Sequence, residues 1–204
     1  PDLGWIHHPG GGLEIGHGAD GFHFDNEGPR HRALIPSHRL AERLVTNGFL
    51  MSTTAWYSRR YMGLYIWLPA ALHPRIERAL LVSYGVGNTA RSLVRTREVE
   101  AIDVVDISPG ILEMSAIVHP DPRQDPLRDP RVRVHVEDGR AFLGVTANRY
   151  DLITSEPPPP RNAGVVNLYS REDFALIRSR LRAGGMVSCW LPVHDLALRE
   201  AQAI

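Results

Sequence analysis

The chain has 204 residues, enough to bury one good core and leave room for an appendage. Its 23 basic and 23 acidic side chains cancel, which argues against a broad field drawing in nucleic acid or anionic lipid. Every basic side chain is Arg, which excludes a Schiff-base or phosphate-loop lysine, and the single Cys189 cannot close an internal disulfide.

The first 48 residues are rich in Gly and His, and only Ala33 to Leu44 shows regular apolar spacing. His7, His8, His17, His23, His31 and His38 follow no zinc or facial-triad spacing, so no metal is expected. The strings Pro9 to Gly16, Phe22 to Arg32 and Val45 to Gly48 resemble the opening of the formylglycine-generating-enzyme-like domain of ergothioneine sulfoxide synthases. That resemblance covers only the family's first strands and turns, so none of its activity is carried over. No basic segment followed by an apolar one opens the chain, and a cytoplasmic location is the expectation.

From Phe49 the pattern changes to strands alternating with amphipathic helices, so the expected domains are 1–48 and 49–204, as in a fused or recombined reading frame. The longest apolar stretch, Met62 to Leu72, stops at His73-Pro74, short of the roughly 18 residues that cross a bilayer. Trp56, Tyr57, Tyr61, Tyr65 and Trp67 are expected to pack as a hydrophobic flank on the sheet, the alternative being the wall of a ligand pocket.

Ala79 to Ser83 is a continuous apolar run, as a parallel strand covered on both faces requires. It ends in Tyr84-Gly85-Val86-Gly87-Asn88-Thr89, after which Ala90, Leu93 and Val94 recur at helical spacing. Strand, glycine turn and helix in that order let backbone N–H groups approach a nucleotide, because glycine has no Cβ; the same glycines also fit a plain tight turn. A second strand, Ala101 to Val105, delivers Asp106, where an acid can accept both ribose hydroxyls.

Ser108-Pro109 then starts a helix whose inward face is Ile111, Met114, Ser115 and Val118. The arginines from Arg123 to Arg133 alternate with Asp and Pro and read as a solvated connection. Arg131 to Val136 alternates as a third strand ending in Glu137-Asp138-Gly139, and Tyr150 to Ser155 is a fourth ending in Glu156. Ser170 to Asp173 is a capping box for a helix with Phe174, Ile177 and Leu181 inward, closed by Gly184-Gly185 before a fifth strand in which Cys189 is buried and inert. Asp106, Asp138 and Glu156 thus fall at the carboxyl ends of successive strands, where open α/β sheets bind ligands; each alone also fits a helix cap or a surface charge.

This ordered series resembles the spermidine synthase family over roughly Asn47 to His194. Gly85 to Thr89 is similar to that family's glycine loop, Asp106 to its ribose-binding acid, and Asp138-Gly139 to the pair that holds the adenine amino group. Asp129 to Val132, Asn167 to Ser170 and Gly184-Gly185 also match, while Glu156 to Pro160 followed by Ala163-Gly164-Val165 looks like a divergent bacterial branch. The resemblance implies a class I methyltransferase-like, Rossmann-type α/β sheet, C-terminally incomplete, that takes S-adenosylmethionine or its decarboxylated form as substrate. It also implies Gly85, Gly87, Asn88, Asp106, Ile107, Asp138 and Gly139 as the nucleotide set. Glu156 takes the place of the carboxylate that deprotonates or orients the attacking amine; the structural alternative is a brace for the proline loop.

Several positions depart from the family. Its second acid is Pro159 here, its Tyr-His-Glu is Tyr61-Met62-Gly63, and the Asp-Glu before that is Ser58-Arg59. Lost carboxylates beside Arg59 and Arg60 should repel a polycation, which places the amine pocket in more doubt than the adenosine half. Two alternatives to aminopropyl transfer therefore stand: an ordinary methyltransferase, or a non-catalytic remnant of a fused gene. The short C-terminal end implies an unpaired sheet edge, hence marginal stability or a homodimer.

Overall fold

A computed structural model describes residues 6–8, 11–15, 31–35, 38–40, 43–46, 49–157 and 165–191. The chain forms two compact units, Pro1–Tyr61 and Met62–Ile204. The proline run after Pro157, Pro159 with it, and the expected closing helix Asp195 to Ile204 lie outside the described residues.

The first unit holds three antiparallel strand pairs. Strand β1 (Ile6–His8) pairs with β4 (His38–Leu40), β2 (Gly11–Ile15) with β3 (His31–Ile35), and β5 (Arg43–Thr46) with β6 (Phe49–Thr53).

Helix α1, Trp56–Leu72, contains the division between the units and has Pro69 inside it. In the second unit its inward residues are Met62 and Ile66, with Ala70 packed beside them. The expected flank is overturned here: Trp56, Tyr57, Tyr61 and Trp67 are exposed, and the Trp67 ring lies back over Gly63, where a Cβ would come within 2.6 Å of it. Aliphatic residues four apart form the buried stripe, and the aromatics fall on the opposite face of the same helix.

The second unit is a five-stranded parallel sheet. Its strands are β7 (Arg78–Val82), β8 (Ala101–Asp106), β9 (Val132–Val136), β10 (Tyr150–Ser155) and β11 (Leu181–Cys189), in the order β11-β10-β7-β8-β9. Alternation along β7 sorts the core into two layers. Ala79 and Leu81 face one cluster with Ile66, Ala90, Leu93, Ile102 and Leu112, while Leu80 and Val82 face the other with Val105, Phe142, Tyr150, Ile153 and Ile177. The first layer is covered by α1, α2 (Asn88–Arg95) and α3 (Pro109–Glu113), the second by α5 (Gly139–Val145) and α6 (Arg171–Ser179). Each fully buried Leu or Ile in these layers contributes about 1.5–3 kcal/mol by leaving water.

Two local expectations need correction. The helix after Asp106 breaks into α3 and α4 (Ser115–Val118), and its buried residues are Leu112 and Ser115. Gly184 and Gly185 do not close α6 but lie inside β11, whose register against β10 slips from Tyr150↔Leu181 to Leu152↔Met186. Gly184 has φ 79° and a Cβ at Gly185 would meet the Tyr150 carbonyl oxygen at 2.9 Å, so the glycines make a bulge in the strand. Among the described residues no helix is long and apolar enough to cross a membrane, and no cluster of His, Cys, Asp or Glu could hold a metal.

Candidate nucleotide and acceptor site

The strand order reverses between β7 and β10: α2, which follows β7, covers one face, and α6, which follows β10, covers the other. Successive connections leaving to opposite faces open a crevice beyond the carboxyl ends of those two strands, the place where open α/β sheets bind ligands. The glycine turn leaves β7 at one lip, and Glu156 follows β10 at the other.

The turn is a run of left-handed residues: Ser83 at φ 73°, Gly85 at 58° and Gly87 at 79°. Ser83 is the only non-glycine with positive φ among the described residues, a conformation that costs about 1 kcal/mol, and its N–H is held by the Val105 carbonyl at 2.9 Å. Gly87 is the N-cap of α2, in left-handed conformation and with no side-chain cap hydrogen bond. Asn88 and Thr89 are buried; the Asn88 amide donates to the Met62 sulfur at 3.1 Å.

Asp106, 7 % exposed, ends β8 beside the turn. Its Oδ2 accepts the Tyr84 N–H at 2.8 Å and its Oδ1 the Ser108 N–H at 2.9 Å. One amide per oxygen leaves a lone pair on each for a pair of hydroxyls. Ile107, the next residue, is 70 % exposed at the same edge, an apolar surface open to a flat ring.

Asp138 is the N-cap of α5, with Oδ1 accepting from the amides of Arg140 at 3.0 Å and Ala141 at 2.9 Å. The structural alternative for this acid is therefore realised, and it is exposed rather than recessed. Gly139 sits so close to β7 that a Cβ would meet a Val82 methyl at 2.5 Å, which brings the β9–α5 connection to the base of the glycine turn.

Glu156 accepts a short hydrogen bond from the Thr89 hydroxyl, tying the two lips together. Burial pushes its carboxyl up to about 7, and the Thr89 bond only partly offsets that. The site is thus bounded by a glycine turn, a buried carboxylate that keeps free lone pairs, and a carboxyl poised to exchange a proton near neutrality.

A further buried acid near Asp138 reads in the sequence only as part of a helix cap. Asp173, 4 % exposed, reaches Arg140 at 3.4 Å; burial pushes its carboxyl up to about 6, Arg140 opposing and Asp138 adding to the shift. The expected capping box is half formed: Ser170 accepts the Asp173 N–H at 3.2 Å, while the Ser170 N–H goes to the Asn167 carbonyl. Cys189 lies in β11 as expected but is half-buried rather than buried, and its thiol is pushed up to about 11 by burial and by the charges of Asp173 and Glu156. A separate cleft of about 600 Å³ between α6 and β11 is lined by Phe174, Ile177, Arg178, Leu181, Arg182 and Val187. It lies along the outer strand, begins at the amino end of β11, and contains none of the three strand-end acids.

Comparison with known proteins gives a consistent picture. Residues 60–195 match the family model of the spermine/spermidine synthase domain. A polyamine aminopropyltransferase of Nitrosomonas europaea is 31% identical over 121 residues, covering 59% of this chain and 37% of that protein. One from Alkaliphilus metalliredigens is 29% identical over 161 residues, covering 78% and 56%. A spermidine synthase solved in complex with the transition state analogue AdoDATO superposes with a TM-score of 0.62 at 20% identity, over 78% of this chain and 49% of that one. The spermidine synthase from Thermotoga maritima gives 0.59 at 20% identity, over 80% and 50%. At that identity the superpositions establish the fold alone, and the chain spans about half the length of the relatives it matches.

Proposed function

Because the chain belongs to the spermine/spermidine synthase family, we propose that its α/β unit binds an adenosine sulfonium, decarboxylated S-adenosylmethionine first among the candidates, for aminopropyl transfer to a small amine. The observation that carries this reading is Asp106, a buried carboxylate with one backbone amide on each oxygen, set beside a left-handed glycine turn at the switch point of the sheet. Its remaining lone pairs take the two ribose hydroxyls. Ile107 covers one face of the adenine, and the Asp138-Gly139 connection takes its edge. Gly85 and Gly87 let the backbone close on the nucleoside because they carry no Cβ, and Asn88 follows as the first residue of α2.

Chemistry falls to Glu156. The amine nitrogen attacks the methylene beside the sulfonium, a C–N bond forms, the C–S bond breaks, and neutral methylthioadenosine leaves with the electron pair. The nitrogen then carries a surplus proton, which the ionised Glu156 accepts. A carboxyl held near 7 suits that work at neutral pH. The acceptor is read as a small amine rather than a long polycation, because the family's second acid is Pro159 here and Ser58 and Arg59 stand in the sequence where acids are expected, with Arg60 next to them.

Isothermal titration with decarboxylated S-adenosylmethionine, S-adenosylmethionine and methylthioadenosine tests the proposal. A preference for the decarboxylated ligand supports aminopropyl transfer, a preference for the parent compound supports methyl transfer, and no heat with any of them contradicts both. Unchanged turnover in Glu156→Gln would remove the proposed base.

A further inference from the structure

Beneath the glycine turn runs a buried chain of polar side chains that the proposed chemistry does not use. The Tyr84 phenol lies 2.5 Å from the Ser115 hydroxyl, which donates to Asp125 Oδ1 at 2.7 Å. Asp125 also accepts the Leu127 N–H at 3.0 Å and faces Arg128 at 3.5 Å. Tyr84, Ser115 and Asp125 are 3 %, 2 % and 7 % exposed, so the chain is sealed from water. Its direction follows from proton count: Ser115 has a single hydrogen, Asp125 takes it, and Tyr84 must therefore donate to Ser115. Burial raises the phenol above its ordinary range, so it keeps the proton it donates.

Tyr84 touches the site in three other ways. Its N–H donates to Asp106 Oδ2 at 2.8 Å, and its carbonyl accepts the Gly87 N–H at 3.0 Å. Its hydroxyl lies directly under Gly87, where a Cβ would fall 2.5 Å from it and 3.0 Å from His119 Nε2. One residue thus fixes the carboxylate and the turn together, and what fixes that residue is the hydroxyl chain to α4 and the segment after it. A glycine turn needs no tyrosine for its own geometry, because left-handed φ comes from the glycines.

We propose that Tyr84 is a positioning residue for nucleotide binding, its hydroxyl locked by Ser115 and Asp125 so that Asp106 and the Gly85–Gly87 turn present one preorganised face. The inference rests on the adenosine-binding reading above. Loss of the lock lets turn and carboxylate move apart, and ligand binding must then order them again.

The test is calorimetric titration of the whole chain with methylthioadenosine, comparing wild type, Tyr84→Phe, Ser115→Ala and the double variant, with thermal melts of each. Each single variant is expected to bind about 5- to 10-fold more weakly, the worth of one buried hydrogen bond, and the double variant no more weakly than Tyr84→Phe, since both cut one chain. Should Tyr84→Phe fail to fold, Ser115→Ala carries the test. Lower melting temperatures with wild-type affinity would make the chain merely structural and overturn the inference, as would losses that add in the double variant. A wild-type chain that binds no methylthioadenosine would bring down the adenosine reading and this inference together.

Discussion

The two lips of the crevice are built differently. On the β7–β8 side, backbone and buried side chains hold one another: Asp106 takes amides from Tyr84 and Ser108, Tyr84 is locked through Ser115 to Asp125, and Gly87 leaves no room for a side chain. On the β10 side, Glu156 is tied to Thr89 and is followed by prolines, with Pro159 where the family has a second acid. The first arrangement is one for holding a ligand of fixed shape. In the proposed reading the second places a carboxyl where a proton is taken up. Under the proposed function affinity falls to the first lip and chemistry to the second, and substitutions in each should perturb them differently.

The largest effect should come from Asp106→Ala. It removes the acceptor for two buried amides and for the ribose, so methylthioadenosine affinity should fall about 100-fold or more and stability by about 2–4 kcal/mol. Titration and chemical denaturation read both, and unchanged affinity would break the assignment of that lip.

Glu156→Gln should separate rate from binding. Turnover should drop about 100- to 10,000-fold with nucleotide affinity kept. Wild-type activity should rise with pH through about 7, as the carboxyl ionises. Stability supplies an independent check. Between pH 4.5 and about 7 the folded chain holds a proton on Glu156 that the unfolded chain has released, so this group lowers wild-type stability as pH rises across that interval. Glu156→Gln should match wild type at pH 4 and exceed it by about 2 kcal/mol at pH 8, allowing for partial solvent screening. A stability difference independent of pH would contradict the raised carboxyl.

Gly87→Ala should destabilise by about 1–3 kcal/mol, from the positive φ and the clash with the Tyr84 hydroxyl. Adding Tyr84→Phe should relieve only the contact with the hydroxyl oxygen, because the ring Cζ at 2.8 Å and His119 Nε2 at 3.0 Å remain along with the φ component. At the small end, Arg75→Ala breaks an exposed ion pair with Glu100 at the opposite edge of the sheet and should cost under about 0.5 kcal/mol with no change in affinity. A larger response there would show that the site is not confined to the carboxyl edge.

The parts legible in sequence were those with local periodicity. The continuous apolar run Ala79 to Val82 and the largely apolar Ile102 to Val105, interrupted by Asp103, mark strands covered on both faces, and Asp106 falls at the carboxyl edge of the second as spaced. Helix α1 was not legible, because Gly63, Pro69 and five aromatics obscure a stripe that only Met62, Ile66 and Ala70 define. Gly184-Gly185 carried the signature of a helix stop, yet the bulge that places them inside β11 depends on pairing with β10 thirty residues away. Asp138 has the same sequence context whether it caps a helix or meets a ligand, and its cap bonds appear only in three dimensions. The Tyr84 lock joins residues 31 and 10 apart along the chain, with no spacing that announces it.

The central claim, that the β7–β8 lip receives an adenosine, is tested most directly by amide chemical-shift mapping during titration with methylthioadenosine. The amides of Gly85, Gly87, Asn88, Ile107, Ser108 and Gly139 should shift together along one saturable curve. Shifts gathered instead around the cleft of Ile177, Leu181 and Val187, or no shifts at all, would contradict it.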